Sequence, residues 1–150
     1  MANVLKISEA SSLAFHSMAY LAVSGNGHLQ STRDIAGVFN ISEAHLSKVF
    51  QRLARVGLVS TQRGPRGGIA LARPAEDITL LHIYEAIEGP LAPEGCLLGS
   101  QACDFTSCIM GDLLLSVNTQ VRDYFEKTTL ARLARKLGGG IFYEDHAENH

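Results

Sequence analysis

The stretch over residues 41–71, ISEAHLSKVFQRLARVGLVSTQRGPRGGIAL, restricts the fold of this chain more than any other. Ser42 offers a side-chain oxygen to the free N–H groups of a helix start, and Glu43 sits favourably in the first turn. Leu46, Val49, Phe50, Leu53 and Ala54 then fall at i, i+3, i+4, i+7 and i+8, one apolar stripe on one helix face. The rest of that helix carries His45, Ser47, Lys48, Gln51, Arg52 and Arg55. Gly57 is expected to end it as a left-handed cap. Residues 58–62 read as a strand, Arg63-Gly64-Pro65-Arg66-Gly67-Gly68 as a tight basic turn, and residues 69–71 as the returning strand. A polar helix followed by a ribbon tipped with arginine and glycine suits a DNA groove and its neighbour.

The flanking segments complete a recognisable unit. Residues 8–24 read as a first helix, capped by Ser8, with Ala10, Leu13, Ala14, Ser17, Met18 and Leu21 at helical spacing and Gly25-Asn26-Gly27 as its stop. Ser31 followed by Asp34 resembles a capping box and opens a short helix with Ile35, Ala36, Val38 and Phe39 inward. Asn40 and Ile41 make a brief turn. A short helix, a tight turn and an amphipathic second helix form a helix-turn-helix, and the hairpin makes it a winged helix.

Beyond Pro74, Thr79 caps a helix through residue 87 that Gly89-Pro90 terminates. Residues 91–107 form a loop, and a long helix follows over roughly 109–127. Its residues Met110, Leu114, Val117, Val121 and Tyr124 step by four, three, four and three, the seam spacing of a coiled coil. Leu113, Leu115 and Phe125 widen the apolar surface, so this helix is expected to pack both on its own chain and on a twin chain. A last short helix starts at Thr128 or Thr129 and ends at residue 137 before Gly138-Gly139-Gly140. The expected fold is therefore mainly α with a small β wing. Residues 1–75 form a DNA-binding winged helix whose first helix also packs on the dimer helix, residues 76–140 a cysteine loop and dimerisation helices, and residues 141–150 a frayed tail.

Composition sets limits on this reading. With 46% hydrophobic and 19% charged residues in 150, the chain is globular and large enough to bury a core. No run approaches the roughly 18 apolar residues of a membrane span, and Lys6 and Glu9 around Ile7 do not resemble a signal peptide, so cytoplasm is the expected location. The net charge of -2 hides a division. Residues 33–73 hold seven Lys and Arg against Asp34 and Glu43, whereas residues 74–112 hold seven acids and no Lys or Arg. A basic half joined to an acidic half is what an anion-binding module with a separate second function would show.

Cys96, Cys103 and Cys108 are all the cysteines of the chain, and they fall within thirteen residues. Gly95, Gly99 and Ser100 make that loop a poor place to bury thiols. Structural zinc usually shows paired, closer cysteine spacing. Three widely spaced thiolates suit an iron–sulfur cluster, while a redox pair with a spare thiol stays open. No GxSxG, Walker A, HExxH or GxGxxG motif occurs in the right context, and His82 near Glu85 reads as the exposed side of a packing helix. No enzymatic function and no small-molecule substrate are expected.

The order of parts, together with HLSKVFQRLARVGLV, the wing RGPRGGIALARP, Leu13-Ala14, the three-cysteine loop and TTLARL, resembles the Rrf2-type family of bacterial winged-helix regulators over about residues 5–137. The resemblance implies a homodimer gripping a pseudo-palindromic double-stranded operator, with repression as the expected mode. It also implies a 2Fe–2S or 4Fe–4S cluster near the dimer helix that reports redox state, nitric oxide or iron–sulfur status. The alternative within the fold is a cluster-free regulator controlled by thiol oxidation or a partner protein.

By the same resemblance the second helix of the motif enters the major groove. Lys48 can then donate to guanine, Gln51 can pair with adenine and Ala44 can meet a thymine methyl. His45 and Ser47 lie beside them, Arg52 and Arg55 hold backbone, and Arg63, Pro65 and Arg66 reach the minor groove. The family's histidine three residues after the last cysteine is Gly111 here, and the acid used by other members is Ser12. The resemblance then implies a fourth ligand from the first helix of the opposite subunit. His16 matches the histidine that some members use and is the first candidate beside Cys96, Cys103 and Cys108, with Glu9, two turns before it on the same face, the second.

Overall fold

The computed structural model describes residues 7–24, 28–91 and 108–137. Within them the chain runs α1 (Glu9–Ser24), α2 (Thr32–Phe39), α3 (Glu43–Arg55), β1 (Val59–Gln62), β2 (Gly68–Leu71), α4 (Leu80–Glu88), α5 (Leu113–Lys127) and α6 (Leu130–Leu137), with a 3-10 turn at Ala75–Asp77. The fold is mainly α with one antiparallel hairpin, in which Val59 pairs with Leu71 and Gln62 with Gly68. The glycine stops at residues 25–27 and 138–140, Cys96, Cys103 and the expected tail lie outside the described residues.

Local chemistry sets the helix ends. Ser31 Oγ accepts from Asp34 N, and Ser42 Oγ from His45 N, each at 3.0 Å. Each bond satisfies one of the N–H groups that a helix start leaves without a partner. Gly57 takes φ +77°, and Leu58 N donates back to Leu53 O at 3.1 Å, the six-to-one closure that ends a helix through a left-handed residue. At α4, Thr79 Oγ1 accepts from His82 N at 3.2 Å while His82 Nδ1 accepts from Thr79 N at 3.1 Å. The imidazole therefore closes a reciprocal capping box usually completed by Glu or Gln.

Two features depart from expectation. Gly111 adopts φ +56°, and Gly111 N and Leu113 N donate to Cys108 O and Met110 O in successive tight turns. Helix α5 consequently starts at Leu113 instead of near residue 109. The hairpin also gains a third partner: Gln30 N donates to Ile69 O at 2.8 Å and Ile69 N to Gln30 O at 2.7 Å. That bridge ties the wing base to the α1–α2 connection.

One core holds the described residues together. Met18, Ile35, Leu46, Phe50, Leu53, Leu58, Ile78, Ile83 and Leu130 are fully buried and belong to a single apolar cluster. It includes residues on both sides of Ala75, because α1 packs against α3, α4 and α6 alike. Helix α5 joins through Phe125, whose ring lies 5.4 Å from Phe15 and 5.5 Å from Tyr84, with Val121 packed beside it. The adjacent stripe of the same helix is bare: Leu113, Val117 and Tyr124 are exposed, with Leu115 and Ile109. No helix among the described residues is long and apolar enough to cross a membrane.

Candidate nucleic-acid interface

Helix α3 buries Leu46, Val49, Phe50 and Leu53. At 100° per residue its opposite side therefore presents Ala44, Ser47, Lys48, Gln51 and Arg55. Ser47 is half-buried and the other four are exposed. This face opens onto a cleft of about 370 Å³ between α3, the start of α2 and the wing. Ser47 and Gln51 line one wall, Arg63 and Gly64 the wing side, and Thr32 and Arg33 the far side. At the wing tip Arg63, Pro65 and Arg66 are all exposed. A groove-sized helix face thus continues into a cationic ribbon, with Thr61, Gln62 and the acid Glu43 also lining the cleft between them.

His45 and Arg52, seven residues apart, lie together on the flank of α3 that looks towards α1 and α4. His45 Nδ1 stands 4.0 Å from Glu9 Oε1. The Arg52 guanidinium donates to Ile87 O at the end of α4. The outward face thus gathers Ala44, Ser47, Lys48, Gln51 and Arg55 and leaves His45 and Arg52 to one side. Thr32 and Arg33 were missed as site candidates. The available signal was a cationic residue in the first turn of a Ser-capped helix.

Glycines hold the ribbon close to its neighbours. A Cβ on Gly67 would sit 2.0 Å from Gln62 O, and one on Gly68 2.4 Å from Gln30 O. Only a residue without a side chain lets the turn fold back and the Gln30 bridge form.

The candidate cluster ligands are only partly within view. Cys108 is half-buried in the turn ahead of α5, while Cys96 and Cys103 lie outside the described residues. Among the described residues no group of three or more His, Cys, Asp or Glu side chains is gathered to hold a metal ion. His16 is exposed on α1, its ring 6.1 Å from Phe39. Its Nδ1 lies 2.6 Å from Ser12 O, an atom that can only accept, so Nδ1 carries the proton. In the neutral ring Nε2 then holds the free lone pair, the orientation that suits an imidazole to bind a metal. Glu9, the second candidate, is exposed and faces His45.

Comparison with known proteins agrees with this architecture. The family model described as Rrf2, iron-dependent transcriptional regulator, matches residues 7–136. A protein of Aquifex aeolicus (strain VF5), named as an HTH-type transcriptional regulator, is 33% identical over 123 residues, covering 80% of this chain and 85% of its own. The structure of CymR (YrzC), the global cysteine regulator of B. subtilis, superposes with a TM-score of 0.76 at 28% identity, covering 89% of this chain and 98% of that one. T. potens IscR superposes with a TM-score of 0.71 at 26% identity, covering 89% and 88%. The chain belongs to the Rrf2 family and is a winged-helix, DNA-binding transcriptional regulator.

Proposed function

We propose that the chain is a homodimeric operator-binding regulator, in the repressing mode, whose grip on DNA is set by an iron–sulfur cluster. Helix α3 would lie in the major groove and the wing in the adjacent minor groove. The observation that carries this reading is the outward face of Ala44, Ser47, Lys48, Gln51 and Arg55 running into the arginine-tipped ribbon. Lys48 and Gln51 have the donors to read guanine and adenine edges, and Arg55 the charge to hold a phosphate. Arg63 and Arg66 suit the negative potential of a narrow minor groove. The bare stripe of Leu113, Val117 and Tyr124 is best covered by the same stripe of a second copy. Two copies would set two recognition helices on half-sites about one helical turn apart.

The ligands proposed for the cluster, of 2Fe–2S or 4Fe–4S type, are Cys96, Cys103, Cys108 and His16. The donor set fits: three soft thiolates, with an imidazole whose Nδ1–H is already committed to Ser12 O. When bound, such a group supplies a centre open to oxidants and nitric oxide. Cys108 leads into the turn that starts α5, and His16 sits on α1, which packs on α3 and α4. A change in how these two residues are held would act on the body that carries the reading helices, and would alter affinity wherever it favours one arrangement over another.

A second reading is a cluster-free thiol or partner-protein switch. It draws on the likeness to the B. subtilis global cysteine regulator and on the half-buried thiol of Cys108. Purification under anaerobic conditions, with visible absorption and iron and sulfide analysis, separates the two. The cluster reading expects a coloured, iron-bearing protein that loses both properties on Cys108→Ser. A colourless, iron-free wild type supports the thiol switch instead.

A further inference from the structure

We propose that Arg52 is a positioning residue for DNA binding, not a DNA contact: with Arg122 it clamps residues 87–91, tying α3 and α5 to the entry of the cysteine segment. The proposal rests on the reading that α3 is the helix lying in the groove.

The last turn of a helix leaves carbonyls without intrahelical partners, and a cation there also meets the negative end of the helix dipole. Arg52 donates to one of these carbonyls, Ile87 O. Beside it the Glu88 carboxylate accepts from Ser8 Oγ and, at 2.7 Å, from the fully buried Ser11 Oγ. The Arg52 charge also acts on Glu88. The end of α4 is therefore held by α1 and α3 together.

The other side of the same short stretch is held by α5. Arg122 donates to Leu91 O, and its Nη1 stands 3.8 Å from Glu85 Oε1. That oxygen also accepts from Leu91 N at 3.3 Å. Gly89, at φ +86°, breaks the helix between the two holds. Within a few residues the sequence reaches Cys96. A displacement at 87–91 pulls directly on the flank of α3, and thus on how its outward face is aimed.

The charge of Arg52 alone does not tell a clamp from a phosphate contact, but Glu88 does. If Arg52 held phosphate, removing the acid next to it would leave binding unchanged or strengthen it. If Arg52 is a clamp, removing the acid weakens binding.

The test uses the full chain and a labelled duplex selected on the wild type from a random-sequence pool, read by fluorescence anisotropy across a salt series. Arg52→Ala is expected to weaken binding about tenfold, in keeping with one lost charge-assisted hydrogen bond, with the wild-type salt slope retained. Glu88→Gln, nearly isosteric and the milder perturbation, is expected to weaken binding as well. Arg55→Ala serves as the phosphate reference, its slope falling by about 0.9. The clamp is overturned if Arg52→Ala lowers the slope as Arg55→Ala does, if Glu88→Gln binds as tightly as wild type or tighter, or if Arg52→Ala binds unchanged. If Arg55→Ala and Lys48→Ala both leave binding untouched, it is the groove reading that fails. The clamp is then judged by amide exchange at Gly89 and Leu91, which must quicken in Arg52→Ala and Arg122→Ala and would contradict it by staying at the wild-type rate.

Discussion

Lys48 and Arg55 share the outward face of α3 seven residues apart, yet they are suited to different work. With α3 in the major groove as proposed, Lys48 would lie in the half of the helix that meets base edges and Arg55 at the end nearer the backbone. Lys48→Ala should cost about 1–3 kcal/mol on the preferred duplex and relax the base preference at one position. Competition with single-base variants of that duplex measures both effects. Arg55→Ala should weaken all duplexes alike. The wing glycines answer to sterics instead. With a Cβ placed 2.4 Å from Gln30 O, Gly68→Ala must break the Gln30–Ile69 bridge or shift the ribbon. The expected loss is about 2 kcal/mol or more in a melting experiment, with weakened DNA binding. An unchanged melt would mean that the wing base relaxes freely. The outward identity of Lys48, Gln51 and Arg55 was legible in the sequence, because the stripe of Leu46, Val49, Phe50, Leu53 and Ala54 fixes the phase of α3. The sideways aim of Arg52 was not. Its partner is a carbonyl 35 residues away, and no local pattern encodes it.

At the scale of elements, α5 shows where periodicity stops being informative. Phe125 and Val121 face inward, while Leu113, Val117 and Tyr124 form a neighbouring outward stripe. Both stripes are apolar, so the sequence predicted a double-sided helix but drew the seam through Met110, Leu114, Val117, Val121 and Tyr124. Val121 instead packs on the chain's own core, and Leu113 joins the exposed stripe. The bare stripe makes Val117→Asp a test of the homodimer. Sedimentation equilibrium should show the substituted chain as a monomer at concentrations where wild type is a dimer, with the melt of the isolated fold little changed. A wild-type monomer would remove the stripe as an interface. Boundaries set by side-chain caps, at Ser31, Ser42 and Thr79, were visible in the sequence. The Gln30 bridge was not, since a one-residue pairing has no alternation to read. The histidine of the α4 capping box was hidden for another reason: its chemistry is that of an acceptor, but its residue type is not the usual one.

For the whole molecule, the shared core makes α1 the element packed against α3 and also against α4 and α6. Glu88 reports on that junction. Hydrogen bonds from Ser8 and then Ser11 hold its carboxyl below the ordinary value of 4.5, burial opposes them, and the charge of Arg52 adds to the lowering. A carboxyl with a depressed folded-state pKa stabilises the fold above its unfolded value and loses that contribution as pH falls through the folded one. The melting difference between wild type and Glu88→Gln should therefore be full at neutral pH and shrink on acidification below about 4.5. A difference independent of pH would mean that Glu88 contributes nothing through its charge. The cysteine segment stands apart from this account of packing. Three thiols in thirteen residues suggest a ligand set from the sequence, and of these only Cys108 lies among the described residues.

The central claim is that α3 and the wing together grip and read a duplex. The most direct measurement compares wild type with the Lys48→Ala, Arg66→Ala double variant on the selected duplex and on a scrambled one of equal length. The account predicts that the double variant loses at least about tenfold in affinity for the selected duplex and most of its preference over the scrambled one. Equal affinity and equal preference in the two proteins would contradict it.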